Sequence, residues 1–153
     1  MPLAPERATL VDVGAGLGRV VLHAARRPYR QIVGIELSPA LIEVAKDNRN
    51  AYRGALACRD IRLVRADAAT FSFPRGNLVV YLYNPFRAQV LAPLLDRLSS
   101  DARRDVILVY HTPIERASID AHPAFELVAD LGIGLIYRFR RELYVQRRMI
   151  GRA

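Results

Sequence analysis

Short apolar runs alternate with amphipathic stretches along most of the chain. Thr9 to Val13 reads as a first strand. Arg19 to Arg27 then has helical spacing, with Val20, Val21, Ala24 and Ala25 on one side, until Pro28 stops it. Gln31 to Ile35 is a second short strand. Ser38 is placed to cap a helix whose first residue is Pro39. That helix carries Leu41, Ile42, Val44 and Ala45 and runs to about Tyr52. Ile61 to Ala66 gives a third strand and Leu78 to Tyr83 a fourth. The fourth is apolar at successive positions, which predicts a central parallel strand covered on both faces. Gln89 to Ser99 repeats apolar residues at Val90, Leu91, Leu94, Leu95 and Leu98, as a helix does. Val106 to Tyr110 is a fifth strand. Phe125 to Ala129 and Leu135 to Gln146 read as a closing antiparallel pair, with Gly132 and Gly134 near the turn. Strands alternating with helices predict an α/β fold, a doubly wound and mostly parallel sheet with a C-terminal antiparallel strand pair. Ligands of such sheets sit beyond the carboxyl ends of the strands.

The 153 residues suit one compact domain over 1–153, and 52% hydrophobic with 25% charged residues suit a globular one. No apolar run approaches the ~20 residues of a membrane span, and Met1 to Arg7 lack the apolar core of a signal peptide. Cys58 is the single cysteine. No internal disulfide can form, which makes a cytoplasmic setting the expectation. No Cys/His cluster suggests a metal. The net charge of +8 raises a nucleic-acid partner. Against this, Lys46 is the only lysine and the arginines are scattered, with short pairs such as Arg103-Arg104, Arg140-Arg141 and Arg147-Arg148. The excess of Arg and Ala looks like codon composition, so nucleic acid stays possible without being favoured.

The first strand ends in "VDVGAGLGRV". Glycine there lets the backbone approach a ligand and adopt dihedrals closed to other residues, and the following helix offers free N–H groups. A plain tight turn would use the same residues. The dinucleotide fingerprint G-x-G-x-x-G is matched by Gly14 and Gly16, but its third position falls on Arg19. That disfavours a nicotinamide oxidoreductase. Glu36 closes the second strand, 22 residues after Gly14, near the spacing of an acid that accepts from ribose hydroxyls. The spacing alone does not separate NAD from other nucleosides.

With Asp12 the stretch reads D-x-G-x-G-x-G, which resembles motif I of the class I S-adenosylmethionine-dependent methyltransferases. The likeness extends to small bacterial methyltransferase-like proteins of unassigned substrate. It implies S-adenosylmethionine as cofactor. Gly14, Ala15, Gly16 and Gly18 would wrap its amino-acid end, with Asp12 meeting the ammonium group, often through water. Glu36 would take the ribose, Leu37 would pack on the adenine, and Asp67 and Ala68 in "VRADAAT" would read the adenine edge. Asp67 equally suits a turn cap. "YLYNPF" stands where the family carries motif IV. Asn84, Pro85 and Phe86 resemble the Asn/Asp-Pro-Pro-aromatic pattern of several N-methyltransferases, with one proline fewer. The implied activity is methyl transfer to a nitrogen of a protein or small amine. The rival readings are a cofactor-binding module without catalysis and a nucleic-acid methyltransferase. His111, just past the fifth strand, is a general base or a rim residue.

Family members usually carry a segment ahead of the first strand that covers the cofactor. Motif I begins here after about ten residues. The expectation is a shortened form, or a second subunit that covers the site. An uncovered pocket exposes apolar surface, so the chain is expected to be a homo-oligomer, a dimer.

Overall fold

The computed structural model describes residues 3–83, 88–100 and 104–140. Their strands form one seven-stranded sheet in the order β3-β2-β1-β4-β5-β7-β6. Five run parallel: β1 (Ala8–Val13), β2 (Gln31–Glu36), β3 (Ile61–Arg65), β4 (Asn77–Tyr83) and β5 (Val106–His111). β6 (Phe125–Asp130) and β7 (Gly134–Phe139) follow, and β7 runs antiparallel to both β5 and β6. The connecting helices are α1 (Arg19–Ala24), α2 (Pro39–Ala51), α3 (Ala88–Ser99) and α4 (Arg116–Asp120). The chain steps outward from β1 to β3, then returns to place β4 on the other side of β1. Such a switch in direction opens a crevice at the strands' carboxyl ends.

One face of the sheet carries the main core. Val11, Val13, Val80, Leu82, Leu108, Tyr110 and Tyr137 pack there with Leu91, Leu94, Leu95 and Leu98 of α3 and Ile119 of α4. The opposite face of β1 to β3 buries Leu10, Ile32 and Ile61 under Val21 and the adjoining Ala25 and Cys58. β4 departs from the expected two-sided burial. Leu78, Val80 and Leu82 are buried, whereas Val79 and Tyr81 are half-buried and Tyr83 is exposed. α3 and α4 cover the first set, while α1 packs on β1 and β2.

α1 is shorter than its periodicity predicts. Beyond Ala24 the bonding tightens to i→i+3, Arg26 N–H to the His23 carbonyl and Arg27 N–H to the Ala24 carbonyl, as helix ends commonly do before a proline. Ser38 caps α2 as expected, its hydroxyl accepting from Leu41 N–H. α4 was not expected. Its five residues are too few to show a helical period. β7 ends at Phe139 within the described residues, and the predicted continuation over 141–146 lies outside them.

Gly34 in the middle of β2 lies tightly beneath α1. A Cβ there would lie 2.8 Å from Val21 Cγ2, 2.9 Å from Leu63 Cδ2 and 3.0 Å from Ala15 Cβ. Gly34→Ala should therefore destabilise the fold by about 1–3 kcal/mol through overpacking, read as a lower thermal midpoint. An unchanged midpoint would show that α1 sits loosely on β2.

Candidate cofactor and acceptor site

The β1–α1 loop is fastened to the end of β2 by its own backbone. Gly14 and Ala15 N–H both donate to the Ile35 carbonyl at 2.9 Å. Gly16 N–H donates to Glu36 Oε2 at 2.9 Å, and Ser38 N–H to Oε1 at 2.9 Å. One carboxylate thus ties the loop after β1 to the turn before α2. Each of its oxygens still has a lone pair to offer.

The three glycines differ in what they do. All have positive φ: 80° at Gly14, 52° at Gly16 and 79° at Gly18. A Cβ on Gly16 would meet nothing within 4 Å, so this position opens outward. Gly18 faces inward, where a Cβ would lie 3.2 Å from Ala45 Cβ of α2. Its positive φ already favours glycine, and packing against α2 leaves little room for a side chain as well. Ala15 likewise sends its side chain into the core beneath α1.

Asp12 lies just below this loop, in register with Gly34 of β2 and Tyr81 of β4. It is 3% exposed, and its Oδ2 has no hydrogen-bond partner among the described residues. Burial first, then the nearby negative charge of Glu36, pushes its carboxyl up to about 7. An unpartnered buried carboxylate is costly, and a cationic donor would relieve that cost. Leu37, 63% exposed, presents a bare apolar surface beside Glu36. Ala66 N–H donates to the Glu36 carbonyl at 3.0 Å and brings Asp67 alongside. Asp67 Oδ1 accepts from Ala69 N–H at 2.8 Å in a turn cap, and Ala68 is a core residue.

Asn84, Pro85 and Phe86 lie outside the described residues. At the ends of β4 and β5 the structure sets His111, which the sequence singled out, against Tyr81, which it did not. Tyr81 Oη and His111 Nδ1 are 3.1 Å apart, and the Tyr83 ring meets His111 edge-on with centroids 4.9 Å apart. Tyr81 escaped notice because "LVVYLY" reads as uniformly apolar. The signal was there in the alternation, since Tyr81 and Tyr83 share the face that Leu82 does not.

A side-chain-free cradle, a ribose-spaced carboxylate, an exposed apolar platform and a buried acid awaiting a cation suit a positively charged nucleoside. A doubly wound sheet with this arrangement at its switch point defines the class I methyltransferase fold. The chain belongs to the methyltransferase domain family, whose sequence profile matches residues 10–105. It is a class I S-adenosylmethionine-dependent methyltransferase, with S-adenosylmethionine as cofactor. Similar solved structures share the fold at low identity. The yhhF protein of Escherichia coli, described as a methyltransferase, is 19% identical over 88% of this chain and 76% of its own, with a TM-score of 0.61. A ribosomal protein L11 methylase from Lactobacillus delbrueckii subsp. bulgaricus is 20% identical over 87% and 69%, at a TM-score of 0.56. An RNA methyltransferase from Salinibacter ruber, in complex with S-adenosyl-L-homocysteine, is 21% identical over 89% and 82%, at 0.52. No curated protein sequence matches the chain. No helix among the described residues is long and apolar enough to cross a membrane.

Asp12 gives a test on stability. In the unfolded chain it loses its proton near 3.8, in the folded chain near 7. Between these values the folded state holds the extra proton, so its contribution to stability falls as pH rises and levels off above 7. Asp12→Asn removes that slope. The thermal midpoint of the variant relative to the parent should climb from pH 4 to about 7 and then stay constant. A difference that does not vary with pH would show Asp12 to be ionised throughout.

Proposed function

We propose that the chain transfers a methyl group from S-adenosylmethionine to a nitrogen, holding the cofactor across the β1–α1 loop and Glu36. The observation that carries the reading is the Glu36 carboxylate. It is fixed by Gly16 and Ser38 N–H groups and keeps free lone pairs at the ribose-binding spacing. Asp12 receives the cofactor's ammonium group. Gly14 and Gly16 keep the loop low enough for the amino-acid end, while Ala15 and Gly18 shape it from behind. Leu37 packs on the adenine, and Asp67 with Ala68 meets its edge.

S-adenosylmethionine supplies the methyl group on a sulfonium centre. When bound it would give that methyl carbon to the acceptor nitrogen and leave as the thioether with the carbon–sulfur electron pair, the nitrogen's proton passing to water. Orientation provides much of the rate in such a step. Asn84 offers a side-chain and a backbone carbonyl that accept from an amine, aim its lone pair and meet the positive charge growing on nitrogen. A proline after Asn84 disfavours the helical region for that residue, and an aromatic ring such as that of Phe86 suits the cation that forms. The sequence favours a protein or small-amine acceptor. The names of the similar structures include both a ribosomal protein and RNA as acceptors.

Calorimetry with S-adenosylhomocysteine tests the cofactor assignment. Glu36→Ala should weaken binding at least tenfold, about 1.4 kcal/mol; an affinity equal to the parent's would remove Glu36 from the site. The acceptor side has a separate test once an acceptor is found. Asn84→Ala should lower turnover about a hundredfold or more, as loss of an electrostatic acceptor does, with cofactor affinity retained. Undiminished turnover would reject its role.

A further inference from the structure

A groove of about 470 Å3 runs beside α1, lined by Arg19, Val20, His23, Ala24, Arg27, Tyr29 and Tyr81. Arg19 and His23 stand one turn apart on α1, and Arg27 follows in the turn that ends it. All three are exposed, and none forms an ion pair among the described residues. By contrast, Arg116, Arg138 and Arg140 on the far side of the molecule are paired with Asp120, Asp130 or Glu126. Tyr29 and Tyr81 are half-buried and supply the aromatic part of the groove. The Arg27 charge reaches the Tyr29 hydroxyl. Of the lining residues, Arg19 is the first after the cofactor loop and Tyr29 lies just before β2.

We propose that this groove binds a single strand of nucleic acid, with Arg19 and Arg27 on its phosphates and its bases stacked on Tyr29 and Tyr81. Exposed arginines, without an ion pair among the described residues and set beside aromatic rings, suit a single strand held without base pairing. An acidic peptide would use the cations, whereas a nucleic acid brings a phosphate and a stacking face with every residue. Tyr81 lies in register with Asp12 and bonds to His111, so a strand in the groove brings a base to the carboxyl end of β4. The inference rests on the methyl-transfer reading insofar as it names the acceptor as a nucleobase nitrogen. It takes the place of the protein or small-amine acceptor that the sequence favours.

A second groove holds arginine and aromatic residues too, lined by Phe71, Phe73, Arg75, Arg97 and Arg104. It sits at the amino end of β4, away from the cofactor loop, and serves as the internal control. The experiment is fluorescence anisotropy of the full chain with a short labelled single-stranded RNA of mixed sequence, repeated over a range of salt. The parent should bind, and its matching duplex should bind more weakly. The Arg19→Gln/Arg27→Gln variant should lower the slope of log K against log salt by about 1.4, two single-strand phosphate contacts. Tyr29→Leu should weaken binding roughly tenfold with the slope unchanged, as loss of one stacked base does. The Arg75→Gln/Arg97→Gln variant, which loses the same charge, should bind as the parent does. Absence of binding, equal affinity for the duplex, equal loss in the control variant, or equal competition by poly-glutamate would each overturn the proposal. Calorimetry with S-adenosylhomocysteine on the same variants separates this from failure of the methyl-transfer reading, because the groove variants should keep the cofactor affinity.

Discussion

One carboxylate holds the working edge of this protein together. Glu36 accepts the amides of Gly16 and Ser38 and so joins the loop after β1 to the turn that starts α2. The Ile35 carbonyl, one residue earlier, takes the amides of Gly14 and Ala15. A glycine-rich loop is otherwise free to sample many conformations, and ordering it costs more entropy than ordering most segments. These bonds keep it shaped before any ligand arrives. Both carboxylate oxygens are engaged on the protein side only, which leaves lone pairs for a ribose. The same contact therefore folds the loop and prepares the site.

Asp12 shows the opposite relation between fold and function. Its side chain is buried, with Oδ2 lacking a partner among the described residues. An apolar or amide side chain would serve stability better. Its retention fits the handling of a cationic ligand, with the cost met by the surrounding core. Buried groups whose proton affinity is moved far from its usual value concentrate at functional sites, and Asp12 sits at the switch point where such a site is expected.

Much of this was legible in the chain. The spacing of Asp12, Gly14, Gly16 and Glu36 showed the strand-loop-helix-strand unit, because each residue type meets a local need that few others can. The parallel strands and the final antiparallel strands followed from alternation of apolar runs with helical spacing. What stayed hidden depended on distant partners. Gly18 looked like part of the ligand loop, and the sequence did not show that it also packs against Ala45, 27 positions away. Ala15 turned inward for a similar reason. α4 has too few residues to show a period. Tyr81 was concealed in an apolar run because pattern alone does not tell which face of a strand a helix will cover.

The unequal cover of the sheet gives the molecule its second feature. α3 and α4 cover one face of β4 and β5, while the other keeps half-buried apolar residues and opens toward Arg19 of α1 and Arg27 just beyond it. The cofactor edge and this open face meet at Tyr81. The account as a whole stands on the cradle formed by the loop and Glu36, and a crystal structure with S-adenosylhomocysteine addresses it most directly. The account predicts ribose hydroxyls on the Glu36 carboxylate and the amino-acid end lying over Gly14 and Gly16. A nucleoside bound elsewhere, or a Glu36 turned away from it, would contradict the account.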